Sequence, residues 1–277
     1  MNKYSNLRSN NLSGCLLQTA FRSLFLNKFT SDDWTGTLIV IAVLSLWVIS
    51  LVVLLPLSVL NTSWLWLIVS VLGRTYLHTG LFILAHDAMH GNLIPSNRTL
   101  NNTVGRLAVG IYALLPYDRC SINHSNHHRY PSQIGDPDFH GSISHPIFWY
   151  CKFLSEYFSW RSLIVFLVSM IIIFGGLILI FKVELINLVL FWLVPLVLSS
   201  LQLFFFGTYL PHHQVYQNPN FAPRMESNFY SILWSLLSCY NFGHYHWEHH
   251  EYPQMPWYKL PNIRYSALRS NPNQEKI

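Results

Sequence analysis

Histidine is the residue whose placement in this sequence promises chemistry. Ten of the fourteen histidines fall into four short groups: His86-Asp-Ala-Met-His90, His124-Ser-Asn-His127-His128, Pro211-His212-His213 and His246-Trp-Glu-His249-His250. On an α-helix, positions i and i+4 share a face, and i, i+3 and i+4 lie within about 100° of arc. Each group is therefore expected to present its imidazoles to one point. Two, three, one and three ligands make nine nitrogens, from His86, His90, His124, His127, His128, His212, His246, His249 and His250. Nine are too many for one tetrahedral zinc and suit two metal ions with open positions. Imidazole binds iron, copper, nickel and zinc alike, so ligand type alone does not choose the metal.

His78, His140, His145, His213 and His244 read as hydrogen-bonded core residues or surface residues. Twin-haem ligation needs facing histidines within apolar spans, and the spans offer only His78. Neither H-E-x-x-H nor H-x-x-E-H occurs, which argues against zinc hydrolysis. Glu248 and Asp87 are placed to accept the second N–H of a ligating imidazole, and an ordinary capping or solvated role suits them equally. Cys15, Cys120, Cys151 and Cys239 lie far apart without a C-x-x-C pair, so they read as reduced packing residues.

The elements that must position these groups are apolar. Hydrophobic residues make up 51% of the chain and charged residues 10%, against roughly a quarter charged in soluble domains, which places the chain in a bilayer. A net charge of +5 could suggest nucleic acid, but the cations are scattered and no basic run tracks a phosphate backbone, so no nucleic-acid partner is expected. Crossing the hydrocarbon takes about 20 apolar helical residues, and hydropathy selects four spans at 37–60, 64–85, 162–181 and 185–210. Asn61-Thr62-Ser63 and Lys182-Val183-Glu184 are linkers short enough for tight helical hairpins. The predicted class is an all-α membrane protein: two hairpins, with a helical cap on one side holding the histidines.

All lysines and arginines except Arg74 and Lys182 fall in the N-terminal segment, the 86–161 loop or the tail after Pro211, which the positive-inside rule assigns to the cytoplasm. The first 30 residues lack the compact apolar core and cleavage site of a secretory signal, so no cleaved signal is expected. The second span can run on past the bilayer surface to carry His86 and His90. Residues 103–115 are apolar but too short to cross, and read as an interfacial or re-entrant helix over the site. Pro56 and Pro195 are expected to kink the first and fourth spans, and Gly175-Gly176 to weaken the third. With no internal repeat, residues 1–277 read as one domain.

The order H-x3-H, H-x2-H-H, H-x2-H-H with apolar hairpins between resembles the membrane fatty-acid desaturase and hydroxylase superfamily over residues 36–261. Within it, four stretches resemble the bacterial and cyanobacterial β-carotene ketolases of the CrtW type: His86-Asp-Ala-Met-His-Gly91, Asp136-Pro-Asp-Phe-His140, Phe206-Gly-Thr-Tyr-Leu-Pro-His212, and Glu248-His-His-Glu-Tyr-Pro253 followed by Pro256-Trp-Tyr-Lys-Leu-Pro261. Two positions depart from that pattern, with His213 in place of arginine and Asn241 in place of histidine. The resemblance implies two iron ions that activate O2, held by the nine histidines named above, with Asp87, Asp136 and Asp138 as acids linked to catalysis.

It also implies a carotenoid substrate entering from the bilayer. Phe204, Phe205, Phe206 and Tyr209, just before His212, are the expected lining of that approach, with lipid-facing or core packing as the alternative. The implied reaction is oxidation of the allylic C4 methylene of a β-ionone ring through two hydroxylations and loss of water. With no dinucleotide fingerprint, phosphate loop or cysteine cluster in the sequence, the electrons must come from an external donor, expected to be a ferredoxin or similar reductant. Carotenoid-ring hydroxylation or acyl-lipid desaturation is the nearest alternative, because the same centre can take hydrogen from other substrates. A metal transporter or haem carrier is the non-enzymatic one.

Overall fold

A computed structural model describes residues 29–140, 145–212, 227 and 231–270. Among these, four helices are long and apolar enough to cross a membrane. The first, α1 (Ser31–Leu54), is started by a capping box in which Thr30 and Asp33 exchange side-chain-to-backbone hydrogen bonds. Its 24 residues span about 36 Å. Helix α1 begins before the expected span because hydropathy is blind to a polar first turn. It also stops before Pro56, which therefore ends the helix and does not kink it. A proline at that position would remove an N–H and crowd the carbonyl four residues back.

Helix α2 (Trp64–His90) continues past the expected boundary to His90 and ends on Gly91, whose φ of 78° is the left-handed cap that glycine adopts without strain. Helix α3 (Arg98–Ala113) is the predicted short helix, begun earlier by the Asn97 cap. It buries Asn101, Gly105, Ala108, Val109 and Tyr112 along one face. The contact with α2 is close: a Cβ on Gly105 would stand 2.7 Å from Ala88 Cβ, and Asn101 Nδ2 donates to the Ala88 carbonyl at 2.8 Å. Next come α4 (Tyr117–Arg129) and α5 (Pro146–Tyr157), both outside the long apolar set.

Helix α6 (Trp160–Phe181) buries no residue, and exposed Ile171, Leu179 and Ile180 present the apolar surface that lipid accepts. Gly175 and Gly176 lie inside it without breaking it. The last long helix, α7 (Leu185–His212), contains π-helical turns at Val189–Leu193 and Leu203–Tyr209. The first has a visible cause. Pro195 has no N–H for the Phe191 carbonyl, and buried Arg74 donates its Nε to that oxygen at 3.0 Å instead. Arg74 also reaches the Trp47 carbonyl and Ser50 Oγ, each at 2.8 Å, tying α1, α2 and α7 together. Among the described residues the remaining α-helices are α8 (Ile232–Cys239), α9 (His246–Glu251) and α10 (Leu260–Ser270).

Candidate metal centre

The last turn of α2 carries His86 and His90, α4 carries His124, His127 and His128, the end of α7 carries His212, and α9 carries His246, His249 and His250. All nine come together, but the triplets do not point at one place as spacing suggested. His86, His90, His124, His128 and His249 form one group and His127, His212, His246 and His250 a second, with the ring nitrogens of each within 4.8 Å of one another. Helix geometry explains the division. Positions i and i+4 lie about 40° apart around a helix, whereas i+3 is about 60° away on the other side of i. In each triplet the outer pair serves one group and the middle histidine crosses to the other. The groups adjoin, with the His128 and His250 rings stacked at 4.1 Å.

The donor set fits metal ions. Nε2 of His128 lies 3.1 Å from that of His124 and 3.0 Å from that of His249, and His124 Nε2 is also 2.7 Å from His90 Nε2. In the second group, His212 and His246 Nε2 are 3.1 Å apart, and His250 and His127 Nε2 3.0 Å. A ring nitrogen has one lone pair or one proton in its plane and cannot satisfy two such neighbours. Two nitrogens about 2.1 Å from a common ion and about 90° apart would stand about 3.0 Å from each other. Burial first, then neighbouring imidazoles, holds His124, His246, His249 and His250 well below the usual histidine range, and His128 falls to about 2. These rings are neutral, as a metal ligand must be.

His127 differs. Burial opposes its charge, but Asp138 and Asp136 outweigh that and raise its pKa. Its Nδ1–H donates to Asp136 Oδ1 at 2.9 Å, which directs Nε2 toward the second group. Asp136 is fixed in turn by the backbone N–H groups of Ser132 and Asp138. Burial pushes Asp138 up to about 6, and its carboxylate accepts from Tyr157 Oη at 2.7 Å. Ser132 Oγ hydrogen-bonds with His212 Nδ1 at 2.6 Å. Ser132 and Tyr157 were not anticipated; neither spacing nor residue type distinguishes them, because a loop with Ser132 at φ 57° and a turn of α5 bring them in.

The remaining candidates sort by contact. Asp87 is buried 3.6 Å from His86 Nδ1, beyond hydrogen-bond reach, and accepts from the Trp257 backbone at 3.4 Å. Glu248 orients no imidazole: it pairs with Arg264 and Ser227. His78 accepts from Trp47 Nε1 and donates to the Tyr112 carbonyl. His244 hydrogen-bonds with Ser238, and His145 caps α5. His140 borders a surface groove with Lys152 and Glu156, and His213 and Cys15 lie outside the described residues. Asn241 sits at φ 71°, a left-handed conformation that asparagine tolerates better than most residues.

An apolar cavity adjoins both histidine groups, walled by Phe82, Ile83, Met89, Phe153, Leu203 and Phe242 among others. Phe204, Phe205, Phe206 and Tyr209 do not line it; from the same stretch Leu203, Gly207 and Thr208 do. The π-helical turn displaces the register that ordinary helical spacing would give. Phe204 packs instead on Tyr150 and Phe153, Tyr209 on Trp149, and Phe205 is 43% exposed. Phe206 lies against His244.

Long apolar helices with nine histidines gathered into two groups that could hold metal ions mark the histidine-box class of membrane oxidoreductases. The fatty acid desaturase family model matches residues 61–158 and 147–274, and this chain belongs to that family. It is 39% identical over 202 residues to the Beta-carotene ketolase of Paracoccus sp. (strain PC1), covering 72% of this chain and 79% of that one. It is 36% identical over 228 residues to the Zeaxanthin 4-ketolase of Chlamydomonas reinhardtii, covering 81% of this chain and 50% of that one. To the Beta-carotene 4-ketolase of Protosiphon botryoides it is 34% identical over 220 residues, 76% of this chain and 54% of the relative.

Proposed function

We propose that this chain is a β-carotene ketolase, which uses O2 to convert the C4 methylene of a β-ionone ring into a ketone and takes β-carotene to echinenone and canthaxanthin. One observation carries the reading: two adjoining histidine groups open on an apolar cavity in a chain 39% identical to a β-carotene ketolase. In this reading the nine histidines hold two iron ions. When bound, the irons supply O2 activation and the oxidising power to break an allylic C–H bond.

The chain's own residues supply placement. Phe82, Ile83, Phe153 and Leu203 hold the apolar ring beside the ligands and exclude water. Asp136 fixes the His127 tautomer, Ser132 supports His212, and Tyr157 anchors Asp138 at the cavity wall. In balance, CH2 with O2, two electrons and two protons gives CHOH and water; a second round gives a geminal diol, which loses water to the ketone. The electrons come from a separate chain, a ferredoxin or similar one-electron donor. The domain is single, its spans are paired in two hairpins, and the metal site faces the cytoplasm.

Pigment chromatography of a β-carotene-producing host that expresses the chain is the test. Ketocarotenoids are the expected result, whereas zeaxanthin or altered fatty acids with unchanged β-carotene would overturn the reading. In liposomes with ferrous iron and O2, product is expected only when a reduced iron–sulfur protein is added.

A further inference from the structure

Helix α7 gives the cavity a wall made of Leu203, Gly207 and Thr208. Thr208 is 4% exposed, and among the described residues its hydroxyl meets no hydrogen-bond partner. A helical threonine ordinarily satisfies its hydroxyl on the carbonyl four residues back, as Thr75 and Thr103 do here. Thr208 lies within the π-helical turn Leu203–Tyr209, where that carbonyl is displaced. It stands four residues before His212, about one helical turn from the second histidine group. Space lies beside it, since a Cβ on Gly207 would meet no atom within 4 Å. Of the other polar wall groups, the histidines and Asp138 belong to the metal centre, Tyr157 donates to Asp138, and the Cys120 and Cys239 thiols are poor donors, which leaves Thr208 as the hydroxyl not engaged there.

We infer that Thr208 positions the half-oxidised substrate, its hydroxyl hydrogen-bonding the C4 alcohol left by the first oxidation so that the same carbon is oxidised again. The inference rests on the ketolase reading. An alcohol in an apolar cavity carries a desolvation cost unless it finds a partner, and without one it leaves for the bilayer surface. With Thr208 as partner the alcohol stays, and the remaining C4–H is held toward the ligands. The second round then takes CHOH, O2, two electrons from the iron–sulfur donor and two protons to C(OH)2 and water, and the diol loses water. Thr208 forms one hydrogen bond and exchanges no proton overall. Thr208 thereby separates ketone formation from simple hydroxylation.

The test compares the full-length wild type with Thr208→Val, which keeps the shape, and Thr208→Ser, which keeps the hydroxyl, in the same β-carotene-producing host. Thr208→Val is expected to raise the ratio of 4-hydroxy carotenoid to ketone roughly five- to tenfold, the worth of one lost hydrogen bond in an apolar site. Thr208→Ser is expected to restore most of the wild-type ratio. With purified protein supplied with the 4-hydroxy carotenoid, the valine variant should show a raised KM, while its iron content stays at the wild-type level. A wild-type product ratio from Thr208→Val, or equal accumulation of alcohol by valine and serine variants, overturns the role of Thr208 and leaves the ketolase reading standing. A wild type that places no oxygen on C4 removes that reading, and this one with it.

Discussion

At the scale of single residues, the centre depends on which ring nitrogen each histidine turns inward. Among the described residues His127 is the ligand whose Nδ1–H donates to a carboxylate, and that carboxylate, Asp136, is held by two backbone N–H groups of its own loop. Asp136→Asn keeps the shape but weakens the charge-assisted bond, and is expected to lower metal affinity and ketone output by about 10- to 100-fold, read by metal titration and pigment yield. The division of the triplets makes a sharper prediction. His90→Ala removes a ligand from the first group and His212→Ala from the second, so each should drop bound iron from about two ions toward about one per chain, with the other group still filled. Elemental analysis of the purified variants reads this directly. Loss of both ions in every variant would mean that the two groups act as one inseparable site.

At the scale of elements, placement of the ligands rests on two close approaches. The last turn of α2, which carries His86 and His90, is backed by α3 at Gly105, where a Cβ would stand 2.4 Å from the Tyr117 ring and 2.7 Å from Ala88. Gly105→Val is expected to force α3 away, cost about 1–3 kcal/mol, and reduce iron content together with thermal stability in detergent. The second contact is Arg74, which satisfies three acceptors on α1 and α7 inside the membrane-spanning bundle. Arg74→Met would take the Arg74 donor from the Phe191 carbonyl at about 1–3 kcal/mol, while Ser50 still donates to the Trp47 carbonyl, and the loss is read as a lowered unfolding temperature. Pigment output should fall with folded protein, not with the activity of each folded molecule, because Arg74 touches neither histidine group.

At the scale of the whole molecule, the proposed orientation places α5 on the cytoplasmic side together with the histidine-bearing helices α4 and α9. Cys151 on α5 is exposed, while Cys120 and Cys239 are buried. In a Cys15→Ser background, a membrane-impermeant maleimide should label Cys151 in inverted vesicles and not in right-side-out ones; the reverse pattern would invert the topology. Much of this was legible in the sequence. Four apolar stretches of sufficient length, eight histidines at helical spacing and the continuation of α2 to His90 follow from local periodicity, since bilayer thickness and the 3.6-residue turn act on neighbours in the chain. What the sequence left open are quantities set between distant segments. The crossing of His127 and His249 to opposite groups, the loop that brings Ser132 and Asp136 behind the ligands, and the π-helical turn that gives the cavity Gly207 and Thr208 in place of Phe204 to Phe206 were decided only by tertiary packing. Residue spacing fixes the direction of a side chain around its own helix. Which partner it meets depends on how the helices are rotated and stacked against one another, and that is governed by contacts far apart in the chain.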